Sequence, residues 1–363
     1  MAVDKNTLEM LRSETGPGLD LSWLEGAELA DRVTPSKRGL ILSDIATARA
    51  DTAPEHSENL SLRPRGTRQI LNATRVAMRL RDKADTWAGN CALLYEEALA
   101  RQWSSATDIP WETLKPLPDD LELAMCQLCT HLCEVEFTAA DVPGQWIPAI
   151  SPDHFEVKLF LATQAMDEAR HLEVFRKRAL ANGGGLMRQS ADSAASALRS
   201  IMDASDFTEM SVITHVVGEG QVLTMFRMGE FVGLSEAEKK IFRLVAQDES
   251  RHVAFGVMHL KYIAEHQPWR REEIHSYLDR AEPSLVMHKG GRIFGTAFTE
   301  RLEPLIMLLG GGRDRLDGGM ASIDEITRRM VNEYMQRLSV AGFGDRRGRC
   351  IPAIEPYLDP VRN

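Results

Sequence analysis

Apolar side chains recur at helical spacing through most of the chain and almost nowhere alternate with polar ones, so the sequence predicts an all-α fold. From Thr67 to about Trp103 the stripe runs through Ile70, Leu71, Val76, Ala77 and Leu80, then Leu93, Leu94 and Leu99. Asp108-Ile109-Pro110-Trp111 ends it, because proline blocks continuation. A second helix is predicted from about Pro118 to Ala140. Asp141 to Asp153, with Pro143, Gly144, Pro148 and Pro152, reads as a long connection. A third helix covers about His154 to Asn182 and stops at Gly183-Gly184-Gly185. The fourth runs from near Ser205 to Gly233. Ser235 and Glu238 have capping-box spacing and open a fifth, which reaches about His266 before Pro268. Shorter helical pieces follow at about 271–281, 283–309 and 321–340.

Composition narrows the class. The chain has 363 residues, 44% hydrophobic and 26% charged, enough to bury a large core. The pattern divides it into an N-terminal arm, extended or partly disordered, over 1–65, a helical bundle over 66–267 and a helical extension over 268–363 that packs on the bundle. A formal net charge of -10 argues against nucleic acid and anionic membranes as main partners. Apolar runs such as Leu305 to Leu309 are far too short to span a bilayer. Met1 to Ser13 carries Asp4, Lys5 and Glu9 and reads as no secretory signal. Five Cys without paired spacing suggest reduced thiols, and so a cytoplasmic protein.

The chemistry lies in a string that occurs twice, Asp167-Glu168-Ala169-Arg170-His171 and Asp248-Glu249-Ser250-Arg251-His252. In each copy a Glu and a His three residues apart project from one helical face. Carboxylate and imidazole together suit iron or manganese. Two such pairs on facing helices, plus one inward Glu from each of two more, make the ligand pattern of di-iron carboxylate bundles.

Candidates for the two further Glu follow from face and height. Glu219 shares its face with Val212, His215, Val216, Val222, Leu223 and Phe226, where an ionised carboxylate is costly unless paired or metal-bound. It lies about 13 residues before the turn near 233–235 and Glu249 about 14 after it, which brings antiparallel neighbours to one level. In the second helix Glu134 has polar neighbours at helical spacing. Glu136 has Cys129, Leu132, Cys133 and Ala140, so Glu136 is the inward candidate and Glu96 the reserve. The expected ligand set is Glu136, Glu168, His171, Glu219, Glu249 and His252, holding two iron ions or an iron–manganese pair. Its four carboxylate charges balance two divalent ions.

Residues 120 to 265 resemble the ferritin-like superfamily, specifically its oxygen-activating di-iron branch. That branch includes ribonucleotide reductase small subunits, bacterial multicomponent monooxygenases, acyl-carrier desaturases and arylamine N-oxygenases. The resemblance implies a four-helix bundle with added N- and C-terminal helices. It implies dioxygen as co-substrate and hydroxylation, desaturation or N-oxidation of a small organic molecule. It also implies electrons from a reductase or ferredoxin, and a homodimer. By the same resemblance Asp167 and Asp248 each hydrogen-bond the His of the opposite pair, which fixes ring direction and tautomer. Arg170 and Arg251 then either neutralise those Asp side chains or form surface salt bridges; the sequence leaves both open. The alternative is a metal or radical scaffold serving a larger partner, as reductase small subunits do. Those usually carry a Tyr one turn after the first His, where this chain has Phe175. N-oxygenases add a His one turn before the last Glu, where this chain has Val245.

Other residues near the predicted centre carry further readings. His215, one turn before Glu219, is an added ligand, a base beside the ligands, or a buried hydrogen-bonded histidine. Thr224 relays protons if the helix bulges there, or bonds back to its own helix. Cys126, Cys129 and Cys133 read as small core residues lining the approach to the site. Met225, Phe226, Met228 and Phe231 read as a pocket wall or as ordinary core. Gly310-Gly311-Gly312 lacks the Lys and Ser/Thr of a phosphate loop and reads as a turn.

Overall fold

The computed structural model describes residues 21–70, 73–76, 78–190, 198–199, 201–286, 288–289, 292–293 and 299–359. Residues up to Asp51 form a unit of their own, with a 3₁₀ turn at Ser22–Leu24 and helix α1 at Leu42–Arg49. The second unit, Thr52–Asn363, holds everything below.

Helix α2 (Cys91–Ala100) precedes two long antiparallel helices, α3 (Asp119–Trp146) and α4 (Phe155–Ala181). A second long pair follows. Its first member is a composite of α5 (Phe207–Ser211), a π-helical segment (Val212–Gly218) and α6 (Glu219–Val232), and its second is α7 (Glu236–His266). Helices α8 (Arg271–Ala281), α9 (Thr299–Gly310) and α10 (Leu316–Val340) complete the chain. No helix among the described residues is long and apolar enough to cross a membrane.

Local chemistry sets the helix ends. Asp119, Asp120 and Glu122 fill the first turn of α3 and complement its dipole. Ser235 and Glu238 form the reciprocal capping box of α7. Gly183 ends α4 at φ +85°, and Gly311 and Gly312, at φ +82° and +124°, turn the chain between α9 and α10. The Arg178 guanidinium is buried between Glu122 (2.6 Å) and Glu238 (2.7 Å), which ties α3, α4 and α7 together.

The structure departs from the sequence pattern in three places. Pro143 lies inside α3, which runs on to Trp146; proline removes one backbone bond, but Val142, Pro143 and Trp146 are buried there. The long connection shrinks to two 3₁₀ turns. Between Thr67 and Trp103 the described residues form a 3₁₀ turn at Lys83–Asp85 and the α-helix α2. Pro64 and Gly66 (φ +81°) break the chain before it, and Leu80 exchanges backbone hydrogen bonds with Ala149 and Ser151, both 2.9 Å. Ile70 is exposed, and Leu71 and Ala77 lie outside the described residues. The predicted helical piece 283–309 is instead a 3₁₀ turn (Glu282–Leu285), a two-residue antiparallel pairing of 288–289 with 292–293, and α9.

Two aromatic layers flank the middle of the bundle. Phe160, Phe207 and Phe255 pack on one side, with Phe160 stacked on Phe255 at 4.3 Å. Phe175, Phe226 and Phe242 pack on the other, their rings 5.5–6.4 Å apart. Each such side chain contributes about 1.5–3 kcal/mol on burial. These layers hold the polar level between them dry and fixed.

Candidate metal centre

The four long helices deliver Glu136 (α3), Glu168 and His171 (α4), Glu219 (α6), and Glu249 and His252 (α7) to that level. The structure brings all six together in two overlapping groups. Glu136, Glu168, His171 and Glu249 form one, and Glu168, Glu219, Glu249 and His252 the other, with potential ligand atoms within 4.8 Å of one another. Glu168 and Glu249 belong to both and would be shared by ions held in the two positions. His171 Nδ1 lies 3.1 Å from Glu168, 3.4 Å from Glu249 and 3.8 Å from Glu136. His252 Nδ1 repeats this at 3.1 Å from Glu168, 3.4 Å from Glu249 and 3.7 Å from Glu219. The reserve candidate Glu96 lies on α2, outside both groups.

Each imidazole turns its other nitrogen to the carboxylate of the opposite string. His171 Nε2 lies 3.2 Å from Asp248 and His252 Nε2 3.4 Å from Asp167. Arg170 and Arg251 are buried and bridge the two Asp: Arg170 pairs with Asp167 and with Asp248 at 2.9 Å, and Arg251 with both at 2.7 Å. Burial lifts the Asp248 carboxyl, but His171, Arg251 and Arg170 together outweigh it and hold it well below the usual carboxylate range.

Electrostatics point the same way. Burial, with neighbouring carboxylates, raises Glu136 and Glu219 well above the carboxylate range. Burial opposes charge on Glu168 too, yet the two imidazoles override it and keep that carboxyl low. His171 and His252 lose charge to burial and regain more from the surrounding carboxylates, so both sit well above the usual histidine value. Glu136 Oε1, Glu168 Oε1, Glu219 Oε2, Glu249 Oε2 and His252 Nδ1 are buried and make no hydrogen bond. Such orphans are costly in a dry interior unless a cation takes them. The oxygen-rich donor set with one imidazole per subsite fits two iron or manganese ions.

Two supporting residues, Trp103 and Gln164, escaped the sequence reading. Trp103 donates to Asp248 Oδ2 at 2.7 Å and its ring stacks on His171 with centroids 6.4 Å apart. Gln164 donates to Glu219 Oε1 at 2.8 Å and faces His215 Nε2 at 3.1 Å, whose Nδ1 faces Ser211 at 2.9 Å. His215 is therefore a buried link in a chain of hydrogen bonds, outside both ligand groups. Burial first, then the charges of His252 and His259, lower it to about 3, so it stays neutral and donates through Nε2. With its oxygen occupied, the Gln164 amide must present its NH₂ to Glu219, which leaves Glu219 Oε2 for metal. A Gln164→Leu chain is expected to lose roughly 10–100-fold in affinity for the second metal equivalent, read by anaerobic titration with Co(II) absorbance. An unchanged two-step titration would contradict that role.

Other predicted neighbours lie elsewhere. Thr224 bonds to Gly220 (3.2 Å) and Glu333 (2.8 Å) toward α10, because the helix bulge precedes Glu219 rather than following it. Cys126 donates to Ala179 O and Cys133 to Leu172 O, so these thiols pack α3 on α4. Burial pushes the Cys133 thiol up to about 11.

A cavity of about 390 Å³ opens directly on Glu136, Glu168, Glu219 and Glu249. Its walls are mainly apolar, with Leu132, Val142, Val217 and Met225 among them. Phe226 belongs instead to the aromatic layer, Met228 lies beside Arg329, and the Phe231 side chain lies outside the described residues. The segment from Arg280 to Val286 closes one side. Gln221 holds it by donating to Ser284 O at 2.8 Å, and Arg346 and Tyr334 hold it through Glu282 at 2.7 and 2.8 Å.

No family model and no curated protein matches the chain. Among solved structures it is similar to an R2-like ligand-binding oxidase with aerobically reconstituted metal cofactor, at 17% identity and a TM-score of 0.52. Variants of that protein with aerobically and anaerobically reconstituted Mn/Fe cofactor match at 17% and 19% identity, with TM-scores of 0.52 and 0.51. Each alignment covers 68% of this chain and 92% of the other. The fold is that of the ferritin-like helical bundles.

Proposed function

We propose that this chain is a dimetal oxidoreductase that uses dioxygen to oxidise a small organic molecule bound in the 390 Å³ cavity. The observation that carries the reading is the direct opening of a mainly apolar cavity onto four carboxylates that share two ligand groups. The similarity to oxidases that carry a Mn/Fe cofactor supports it. Iron, or iron with manganese, would be held by Glu136, Glu168, His171 and Glu249 in one position and by Glu168, Glu219, Glu249 and His252 in the other. When bound, the pair supplies two-electron redox chemistry toward dioxygen.

The protein residues do the rest. The apolar walls exclude water and orient the substrate against the carboxylate face. Asp167 and Asp248 hold the two imidazoles with Nδ1 inward. Gln164 restrains Glu219 Oε1 by a hydrogen bond and leaves Oε2 unbonded, so that carboxylate would present one oxygen to a metal. External electrons come from a reductase or ferredoxin.

The test is oxygen consumption by the iron-loaded chain with a chemical reductant. We expect uptake that rises with a bound organic substrate and vanishes in Glu249→Ala. Two irons without oxygen uptake, under all donors and substrates, would sink the reading. Uptake that appears only after a second, larger protein is added would favour the scaffold alternative.

A further inference from the structure

Among the polar groups of the cavity wall that the metal reading does not use, the Thr214 hydroxyl stands apart. Thr214 is 4% exposed, lines the cavity, and its hydroxyl makes no hydrogen bond. That is unusual for a helical threonine, which normally satisfies its hydroxyl on its own helix. Thr130, Thr138, Thr163, Thr224 and Thr327 all do so, donating to a carbonyl three or four residues earlier at 2.7–3.2 Å. Thr214 sits in the π-helical segment Val212–Gly218, whose wider register carries its hydroxyl out of reach of that carbonyl. The bulge thus does two things at once. It places His215 against Gln164, and it sets the preceding side chain, whose hydroxyl makes no hydrogen bond, in the cavity wall.

The other polar groups there are engaged, His131 among them, with its Nδ1 3.0 Å from Ser190 Oγ. Gln221 is bonded to Ser284 O, and the Ser284 hydroxyl donates to Ala281 O at 2.7 Å. Arg280 is paired with Glu209. An unpaired formal charge in such walls is costly. We propose that Thr214 anchors the substrate, and that the substrate is therefore an apolar body carrying one neutral hydrogen-bonding group, a hydroxyl or carbonyl, rather than a pure hydrocarbon or an ion. This rests on the dimetal reading above and narrows its substrate class. Thr214 is a specificity-determining residue: it fixes which end of the substrate faces the wall and which carbon faces the metals.

The experiment uses the full chain loaded with zinc, which is redox-inert, and a matched pair of probes, cyclohexanol and methylcyclohexane. Each displaces a fluorescent hydrophobic dye from the cavity, and zinc uptake is measured on the same samples. The wild-type chain is expected to prefer cyclohexanol over methylcyclohexane by about tenfold more than Thr214→Val does. Thr214→Ser, which restores the hydroxyl, is expected to keep the preference. Two zinc ions per chain in every variant, with the preference lost only in Thr214→Val, supports the proposal. The same preference in Thr214→Val and wild type, or no preference in wild type, overturns it while leaving the metal centre intact. A wild-type chain that takes up no zinc overturns the underlying reading instead, and the same titration shows which has failed.

Discussion

A Glu168→Ala chain is expected to bind no metal pair and to be less stable than wild type even without metal. Glu168 belongs to both ligand groups, so its loss strips one donor from each position. In the metal-free chain it is also the carboxylate that both imidazoles approach most closely, 3.1 Å from each Nδ1. Removing it leaves two buried imidazoles short of their counter-charge, a change that costs about 3–5 kcal/mol when one partner of a buried pair is deleted. Glu219→Gln should behave oppositely before metal is added. Glu219 is raised by burial and by repulsion from Glu249, Glu168 and Glu136, so replacing it with a neutral isostere relieves strain. Its metal-free melting temperature should rise, while the stabilisation that metal gives should shrink. Thermal melts with and without ferrous ion, alongside metal content, separate these outcomes. Equal effects of the two substitutions on the metal-free chain would contradict this electrostatic assignment.

The second large effect concerns pH. Glu136, Glu219, His171 and His252 all hold protons more tightly in the metal-free fold than in the unfolded chain. The folded state therefore binds more protons than the unfolded one above the ordinary carboxylate and histidine values. In that window the stability of the metal-free chain falls as pH rises. Metal binding expels those protons, so affinity must rise with pH, by about tenfold per pH unit for each proton released. The two trends have opposite sign. Calorimetry of metal binding in buffers of different ionisation enthalpy counts the protons directly. Affinity that does not change across neutral pH would refute this charge pattern.

How much of this was written in the sequence depends on how local each signal is. The doubled Glu-x-x-His string is a property of one helix face, and Glu219 stood out as a carboxylate on an apolar stripe. The choice of Glu136 over Glu134 used the same test, and the structure buries Glu136 while Glu134 accepts from Ser190 N at 3.0 Å near the surface. What failed was non-local. Pro143 continues α3 because its neighbours are buried by other elements, and the stripe from Ile70 to Leu80 yields to backbone pairing with 149–151. Trp103, Gln164 and Thr214 carry no local mark. The first two matter because another helix approaches, and the third because a π segment turns it, which neither spacing nor composition discloses. Thr224 was the natural guess for a bulge next to Glu219, and it lies on the wrong side of that residue.

The most direct test of the dimetal centre is a crystal of the iron-loaded chain measured above and below the iron absorption edge. The account predicts two anomalous peaks, both bounded by Glu168 and Glu249, one also beside Glu136 and His171 and the other beside Glu219 and His252. A single peak, or peaks away from these six side chains, would contradict it.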